Sequence, residues 1–416
     1  MRIAIFTDTF YPKFDGIVTS ILNFSKELYN EGYETKVFSP KYGAFKELKM
    51  KGMSIHRFKS FSLSTYKDVK IVTPDIRKIF RKIKDYQPDV IHIHTPGFMG
   101  YIGTLCARIY KIPCVGTYHT LVSEQLMYIS FTKLLRISKA FEKLKEMRIT
   151  KFFKRKRYHN ELLEIKKDIK KDRLGRKIIW KLSCKMYNHC DIVIVPSESI
   201  KRLLKEKGIK RKVVVVSNGI NIKLFKPKKK YSKEVKKIVH VGRISFEKNV
   251  DRTIKAFSLI AKKHKNVNYE IIGGGPAIAS LKKLVKKLGL NKRVRFLGYV
   301  EHKKLPKFYK NADFFITAST METQGLVILE AMASGLPIIG VNSFAIPDIV
   351  KNGFNGFVVE PQDIKGIANY MEFLIEHPNL NEVLGKNSFK LAEKHDLKKT
   401  YKKLDGVYKK VMKKSR

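Results

Sequence analysis

Short β-type runs alternate with helical stretches along almost the whole chain, and that alternation restricts the fold to parallel sheets covered by helices on both faces. In the first half the expected strands are Arg2–Thr7, Glu34–Ser39, Ser54–Phe58, Val90–His94, Cys114–Thr117 and Asp191–Pro196. Helical pattern falls between them at Thr19–Glu31, Asp75–Lys84 and Gly100–Tyr110. The second half repeats the scheme, with strands at Val213–Val216, Lys237–Val241, Asn268–Ile272, Val294–Phe296, Phe314–Thr317, Ile338–Val341 and Gly356–Val359. Its helices are expected at Val250–Lys263, Ile278–Leu288, Lys303–Lys310, Leu326–Ala333, Ile364–Glu376 and Asn379–Lys394. The reading is α/β: two doubly wound, Rossmann-like parallel-sheet domains in tandem, a number that suits 416 residues. The first domain is placed at 1–198 and the second at 199–396, with a linker near Pro196–Ile200. A basic C-terminal helix at 397–416 is placed to return to the first domain. Folds of this kind bind ligands at the carboxyl ends of their strands.

One stretch, 131–185, breaks the rhythm. Residues 143–185 carry 17 Lys/Arg against 5 Asp/Glu, with Phe152, Phe153, Tyr158, Ile178, Ile179 and Trp180 interleaved. A basic helix with aromatics on one face suits an anionic membrane surface. An elongated helical hairpin with a solvated charged face accounts for the same pattern. The whole chain has a net charge of +49, which attracts polyanions: nucleic acid, anionic lipid or phosphorylated ligands. Lysine spread along the chain also fits a composition effect. No helix-turn-helix, zinc finger or RNA-stacking motif is present, so no specific nucleic-acid partner is expected. The four cysteines lack close C-x2-C pairs and read as reduced thiols, which fits a cytoplasmic protein. The opening MRIAIFTDTFYP reads as a strand running into a loop rather than a signal peptide, and no apolar run is long enough to span a bilayer.

The residues that carry chemistry follow strands. Phe314–Thr317 leads into a loop and the segment Gln324-Gly325-Leu326, which opens a helix. Free N–H groups of Gln324, Gly325 and Leu326 at a strand's carboxyl end make an anion site. Glu322 precedes that helix and Glu330 lies about two turns along it. The spacing is unlike the facing carboxylates of a glycoside hydrolase; two acids beside a phosphate site point to hydroxyl recognition. After the strand ending Val241-Gly242 come Arg243 and Lys248, suited to phosphate oxygens as a fork and a point charge. Gly273-Gly274-Gly275 lacks the G-x-G-x-x-G spacing and the downstream acid of a dinucleotide site, which argues against a dehydrogenase. His92 and His94 share one side of a strand and read as cleft lining or core, His94 the more exposed. No acid accompanies them at metal-ligand spacing, and no metal is expected.

Taken together, these segments resemble glycosyltransferase family 4. Glu322 and Glu330 match its E-x7-E signature, Gly242-Arg243 with Lys248-Asn249 its donor loop, and Ser217-Asn218-Gly219-Ile220 with Phe225 the entry to its second domain. Gly273–Gly275 and Phe296–Val300 match two further landmarks in order, so the likeness covers nearly the whole chain. The resemblance implies a GT-B fold, with the two domains facing a cleft, and retaining transfer from a nucleotide-sugar. It implies front-side attack by the acceptor, with a donor phosphate oxygen taking the proton and no cofactor. Arg243 and Lys248 would offset the diphosphate, Glu322 would hold the sugar, Glu330 the ribose, and backbone groups of Val300 the base. Gly16 would approach the diphosphate, although Asp15 stands where the family often has a second glycine. His119, in Thr117-Tyr118-His119-Thr120, would lie beside the transferred sugar.

The variant Glu322-Thr323-Gln324-Gly325 and the opening Phe14–Ser20 are most similar to bacterial diacylglycerol glucosyltransferases. That likeness implies UDP-glucose as donor, a membrane glycerolipid as acceptor, and a peripheral position at the inner face of the membrane. A polysaccharide, polyprenyl-linked or soluble acceptor is the alternative. A sugar-nucleotide epimerase shares the architecture but needs acid/base residues that find no assignment here.

Overall fold

The computed structural model describes residues 1–13, 15–63, 66–72, 76–119, 121 and 172–415. Most of the basic stretch read at 131–185 therefore lies outside the described residues. The chain forms two compact units: Met1–Ile194 with Arg202–Val214 and Val407–Arg416, and Val195–Lys201 with Val215–Gly406.

The first unit is built on β1 (Arg2–Phe6), α1 (Gly16–Asn30), β2 (Glu34–Pro40), β3 (Met53–Phe58), β4 (Ser60–Leu63), β5 (Tyr66–Val72) and α2 (Ile76–Tyr86). It continues with β6 (Val90–Ile93), α3 (Phe98–Ile109), β7 (Cys114–Thr117), α4 (Asp172–Tyr187), β8 (Ile192–Val195), α5 (Glu198–Glu206) and β9 (Lys212–Val215). Its sheet runs β3-β2-β1-β6-β7-β8-β9. Pairing is parallel from β3 to β8. Strand order reverses between β1 and β6, so the loops after these two strands leave side by side. Strands buried on both faces need continuous apolar runs, and Ile3 to Phe6 and Val90 to Ile93 are buried throughout. Helix α1 starts at Gly16, three residues before the expected Thr19, because Asp15 caps it. The Asp15 carboxylate accepts from Ile17 N and Val18 N, both at 3.0 Å. The antiparallel hairpin β4–β5 was not expected from the sequence.

The second unit comprises β10 (Lys237–Val241), α6 (Val250–Ile260), β11 (Asn268–Ile272), α7 (Ile278–Lys287), β12 (Val294–Gly298), α8 (Leu305–Asn311) and β13 (Phe314–Ile316). Then follow α9 (Leu326–Ala333), β14 (Ile338–Val341), α10 (Ile346–Ile349), β15 (Gly356–Val359), α11 (Ile364–Glu376), α12 (Pro378–Ala392) and α13 (Leu397–Ser415). The sheet order is β12-β11-β10-β13-β14-β15, all parallel. This is the doubly wound order, and its switch point lies between β10 and β13. Helix α9 is apolar nearly all round, and Ile328, Leu329, Ala331, Met332 and Ala333 are fully buried. Such a helix is stable only inside a core, which fixes its N-terminus at the end of β13. Helix α13 gives its first half to the second unit and its last residues to the first. In the first unit its Tyr408 hydroxyl lies 2.6 Å from His92 Nδ1. Among the described residues no helix is long and apolar enough to cross a membrane.

Candidate active site

In the second unit the switch point brings two loops together, and a few hydrogen bonds join them. The loop after β10 turns through Gly242, and Ile244 N donates to Gly274 O at 2.9 Å. Gly273 N donates in turn to Gly298 O at 2.8 Å, so the loops after β10, β11 and β12 form one backbone-bonded layer. The layer needs glycine at position 273: φ is +138°, and a Cβ would overlap the Gly242 carbonyl. The triple glycine is therefore a site of close backbone approach.

Asn249 ties this layer to the loop after β13. Its Nδ2 donates to Glu247 O, Ala318 O and Thr320 Oγ1 at 3.1–3.2 Å. Its φ of +49° is a left-handed conformation that asparagine tolerates better than most residues. The stitch places Lys248 against Glu322, Nζ to Oε1 2.5 Å, with both side chains largely buried. Burial, the largest influence, pushes the Glu322 carboxyl up, but the charge and hydrogen bond of Lys248 outweigh it and hold the group below its ordinary value. Glu322 is thus a buried carboxylate kept ionised by one cation. Arg243 is exposed, and no acid pairs with it among the described residues. Replacing Asn249 by alanine removes these bonds and leaves in the left-handed turn a residue that tolerates it less well. At about 1 kcal/mol for the net bonding of each replaced contact, we expect roughly 1–2 kcal/mol of lost stability. Calorimetry would measure the loss, and nucleotide-sugar titration should show a parallel loss of affinity.

The expected N–H cradle is present. Gly325 takes φ +82° as the N-cap of α9. The amides of Gln324, Gly325 and Leu326 have no acceptor among the described residues. The Gln324 side chain, however, turns inward. Its Oε1 accepts from Asn218 N at 2.9 Å and Asn218 Nδ2 at 2.8 Å, its Nε2 donates to Ser217 Oγ, and His395 Nδ1 lies 3.0 Å from that hydroxyl. Only the Gln324 backbone is left for a ligand. Glu330 is buried, not a helix-surface acid: Oε1 lies 2.8 Å from His302 Nε2 and Oε2 lies 3.2 Å from the Tyr309 hydroxyl. The hydrogen bond to Glu330 is the largest influence on His302 and raises its imidazole above the ordinary value. Val300, just past β12, is half-buried and packs against the core.

His240, one residue before the end of β10, was not singled out in the sequence. It is buried, donates from Nδ1 to Ile316 O at 3.0 Å, and is pushed down to about 4 by burial. The i, i+2 spacing to Gly242 was its only signal. His302, Tyr309, Asn218 and Ser217 were also unassigned, because their partners lie across the fold.

In the first unit Gly16 is exposed at the first turn of α1. Asp15 already fills the next two amides of that helix, so the Gly16 amide is the one left for an anion. His92 and His94 are both buried, so the greater exposure expected for His94 is not found. His119 follows β7 and is buried, its Nε2 2.8 Å from His94 Nδ1.

Two doubly wound parallel-sheet units in one chain are the architecture of the GT-B class of glycosyltransferases. Residues 14–224 match the family described as Glycosyltransferase Family 4, and residues 221–391 that described as Glycosyl transferases group 1. The chain belongs to glycosyltransferase family 4. It is 29% identical over 397 residues to an alpha-monoglucosyldiacylglycerol synthase from Streptococcus pneumoniae, covering 92% of this chain and 80% of that one. A synthase of the same name from Acholeplasma laidlawii is 27% identical over 424 residues, covering 97% and 95%. The crystal structure of Anabaena HepE in complex with UDP-glucose superposes with a TM-score of 0.73 at 19% identity, covering 99% and 100%.

Proposed function

We propose that the chain transfers glucose from UDP-glucose to a diacylglycerol-type membrane lipid with retention of anomeric configuration. The observation that carries the reading is the pairing at the β10–β13 switch point: a buried Lys248–Glu322 ion pair, with Arg243 unpaired and three amides at the start of α9 free among the described residues. A leaving diphosphate gains negative charge in the transition state, and fixed cations and N–H groups stabilise it there. In this reading Arg243, Lys248 and the amides of Gln324, Gly325 and Leu326 hold the diphosphate. Glu322 holds the sugar hydroxyls, Glu330 the ribose and the Val300 backbone the base. Gly16 and His119 act from the first unit, at the diphosphate and beside the sugar. The acceptor hydroxyl attacks from the front face and gives its proton to a departing phosphate oxygen. Residues 1–198 serve as acceptor domain, 199–396 as donor domain, and 397–416 as a helix returning to the first. The lipid acceptor is supported by the two synthases whose names print it and by the basic aromatic composition of 143–185, which suits peripheral attachment at the cytoplasmic face.

The test is UDP release from UDP-glucose with vesicles containing diacylglycerol and anionic lipid, with product analysis of anomeric configuration. Release that requires the vesicles and yields an α-glucosyl lipid is the expected result. Release with a soluble acceptor alone would keep the enzyme class and remove the lipid. A β-linked product would remove the retaining mechanism.

A further inference from the structure

The carboxylate of Glu330 is held at both oxygens by side chains that no sequence motif ties to it. Glu330 is 5% exposed. Its Oε1 lies 2.8 Å from His302 Nε2, and its Oε2 accepts from the Tyr309 hydroxyl at 3.2 Å. An ionised carboxylate only accepts, so the proton of the first bond sits on His302 Nε2 whatever the charge of the imidazole. Tyr309 shares its proton with Val327 O, also at 3.2 Å, which makes His302 the firmer of the two donors. His302 lies in the short helical turn His302–Lys304 that leads into α8, and Tyr309 lies in α8 itself. The buried Phe225 ring meets both edge-on, at centroid distances of 5.4 Å to His302 and 5.8 Å to Tyr309.

Two donors on different oxygens fix the plane of a carboxylate, which otherwise turns about its last bond. A carboxylate has about four acceptor sites, and the two protein bonds leave about half of them. Neighbouring hydroxyls, such as those of a ribose, match what is left. His302 stands two residues past Val300, and its side chain is 49% exposed, so it covers Glu330 from the solvent side.

We propose that His302 is a positioning residue for nucleotide recognition: through Nε2–H it orients Glu330 so that the remaining acceptor sites of the carboxylate take the ribose hydroxyls. The proposal rests on the reading of Glu330 as the ribose-binding acid. It makes the distinction between ribose and deoxyribose depend on a residue that acts through Glu330.

The experiment is calorimetric titration of the full chain with UDP and with 2′-deoxy-UDP, for the wild type, His302→Phe and His302→Gln. Phenylalanine keeps a ring against Phe225 and removes the donor; glutamine restores an N–H near the position of Nε2. A site built to bond a hydroxyl rejects the analogue that lacks it, and the wild type should bind UDP about tenfold more tightly than the deoxy compound. In His302→Phe that ratio should fall to about two- or threefold, and His302→Gln should restore most of it. Each ratio is taken on one protein, so a smaller folded fraction cancels, and the half-exposed position of His302 suits both substitutions to folding. A merely structural role would weaken both nucleotides equally. An unchanged ratio in His302→Phe would therefore overturn the proposal and leave Glu330 at the ribose. A wild type that binds both nucleotides alike, or binds neither, would remove the ribose reading of Glu330 and the proposal with it.

Discussion

Replacing Lys248 by alanine is expected to lower turnover by about two to three orders of magnitude and to destabilise the second unit as well. The two effects have different origins and can be separated. Lys248 is the sole cation bonded to Glu322 among the described residues, at 2.5 Å, and the carboxylate is 13% exposed. Removing one partner of a buried pair leaves an uncompensated charge, typically at about 3–5 kcal/mol. Glu322→Gln leaves an ammonium with somewhat more access to water and should cost less. The double variant Lys248→Ala/Glu322→Gln removes both charges and should recover most of the lost stability while remaining inactive. The sign of the pH effect follows from the depressed carboxyl of Glu322. Its stabilisation is present above the ordinary carboxyl value of 4.5 and is lost as pH falls through the lower folded value. In Lys248→Ala the carboxyl should rise instead, so that variant should lose less stability than the wild type on mild acidification. Chemical denaturation of the four proteins at two pH values measures all of this. A double variant no more stable than Lys248→Ala would show that the pair does not carry the energy assigned to it.

The fold was legible in the sequence wherever an apolar run was bounded by glycine, proline or charge. Strands β10, β11, β14 and β15 and helices α9 and α11 fall on the expected residues. The misses share a cause: the deciding contact is made by a residue whose local pattern is silent. Asp15 moves the start of α1 by its cap, and α5 (Glu198–Glu206) occupies the stretch read as a linker. In the second unit, sequence motifs identified Arg243, Lys248, Glu322 and Glu330 as a group. The partners that fix Glu330 were invisible, because His302 and Tyr309 reach it only through the packing of α8 and α9. Gln324 illustrates the limit: its backbone stands where the motif suggested, and its side chain does the unrelated work of anchoring Ser217-Asn218.

Acidification should unfold this protein well above the range where carboxylates titrate, and buried histidines are the reason. Burial pushes His92 down to about 3, His240 to about 4 and His395 to about 4, against an ordinary 6.5. Folding keeps them neutral, and the unfolded chain protonates them. Below pH 6.5 the unfolded state therefore binds more protons, so stability falls with falling pH until each folded value is reached. A displacement from 6.5 to about 4 corresponds to about 3 kcal/mol for one histidine, since each tenfold change is worth about 1.4 kcal/mol. Three such groups together are comparable with the whole stability of a domain, about 5–15 kcal/mol. His240 and His395 belong to the second unit and His92 to the first, where His94 is pushed down as well, so both units should be acid-labile. Scanning calorimetry between pH 7.5 and 4.5 should show a steep fall in the transition temperature. His240→Phe, which removes the titrating group and also its bond to Ile316 O, should be less stable at pH 7.5 and flatter in its pH dependence. A wild-type transition temperature that stayed level down to pH 5 would mean that the folded rings take up protons as readily as the unfolded ones, and the neutral assignment of His240, His395 and His92 would have to be given up.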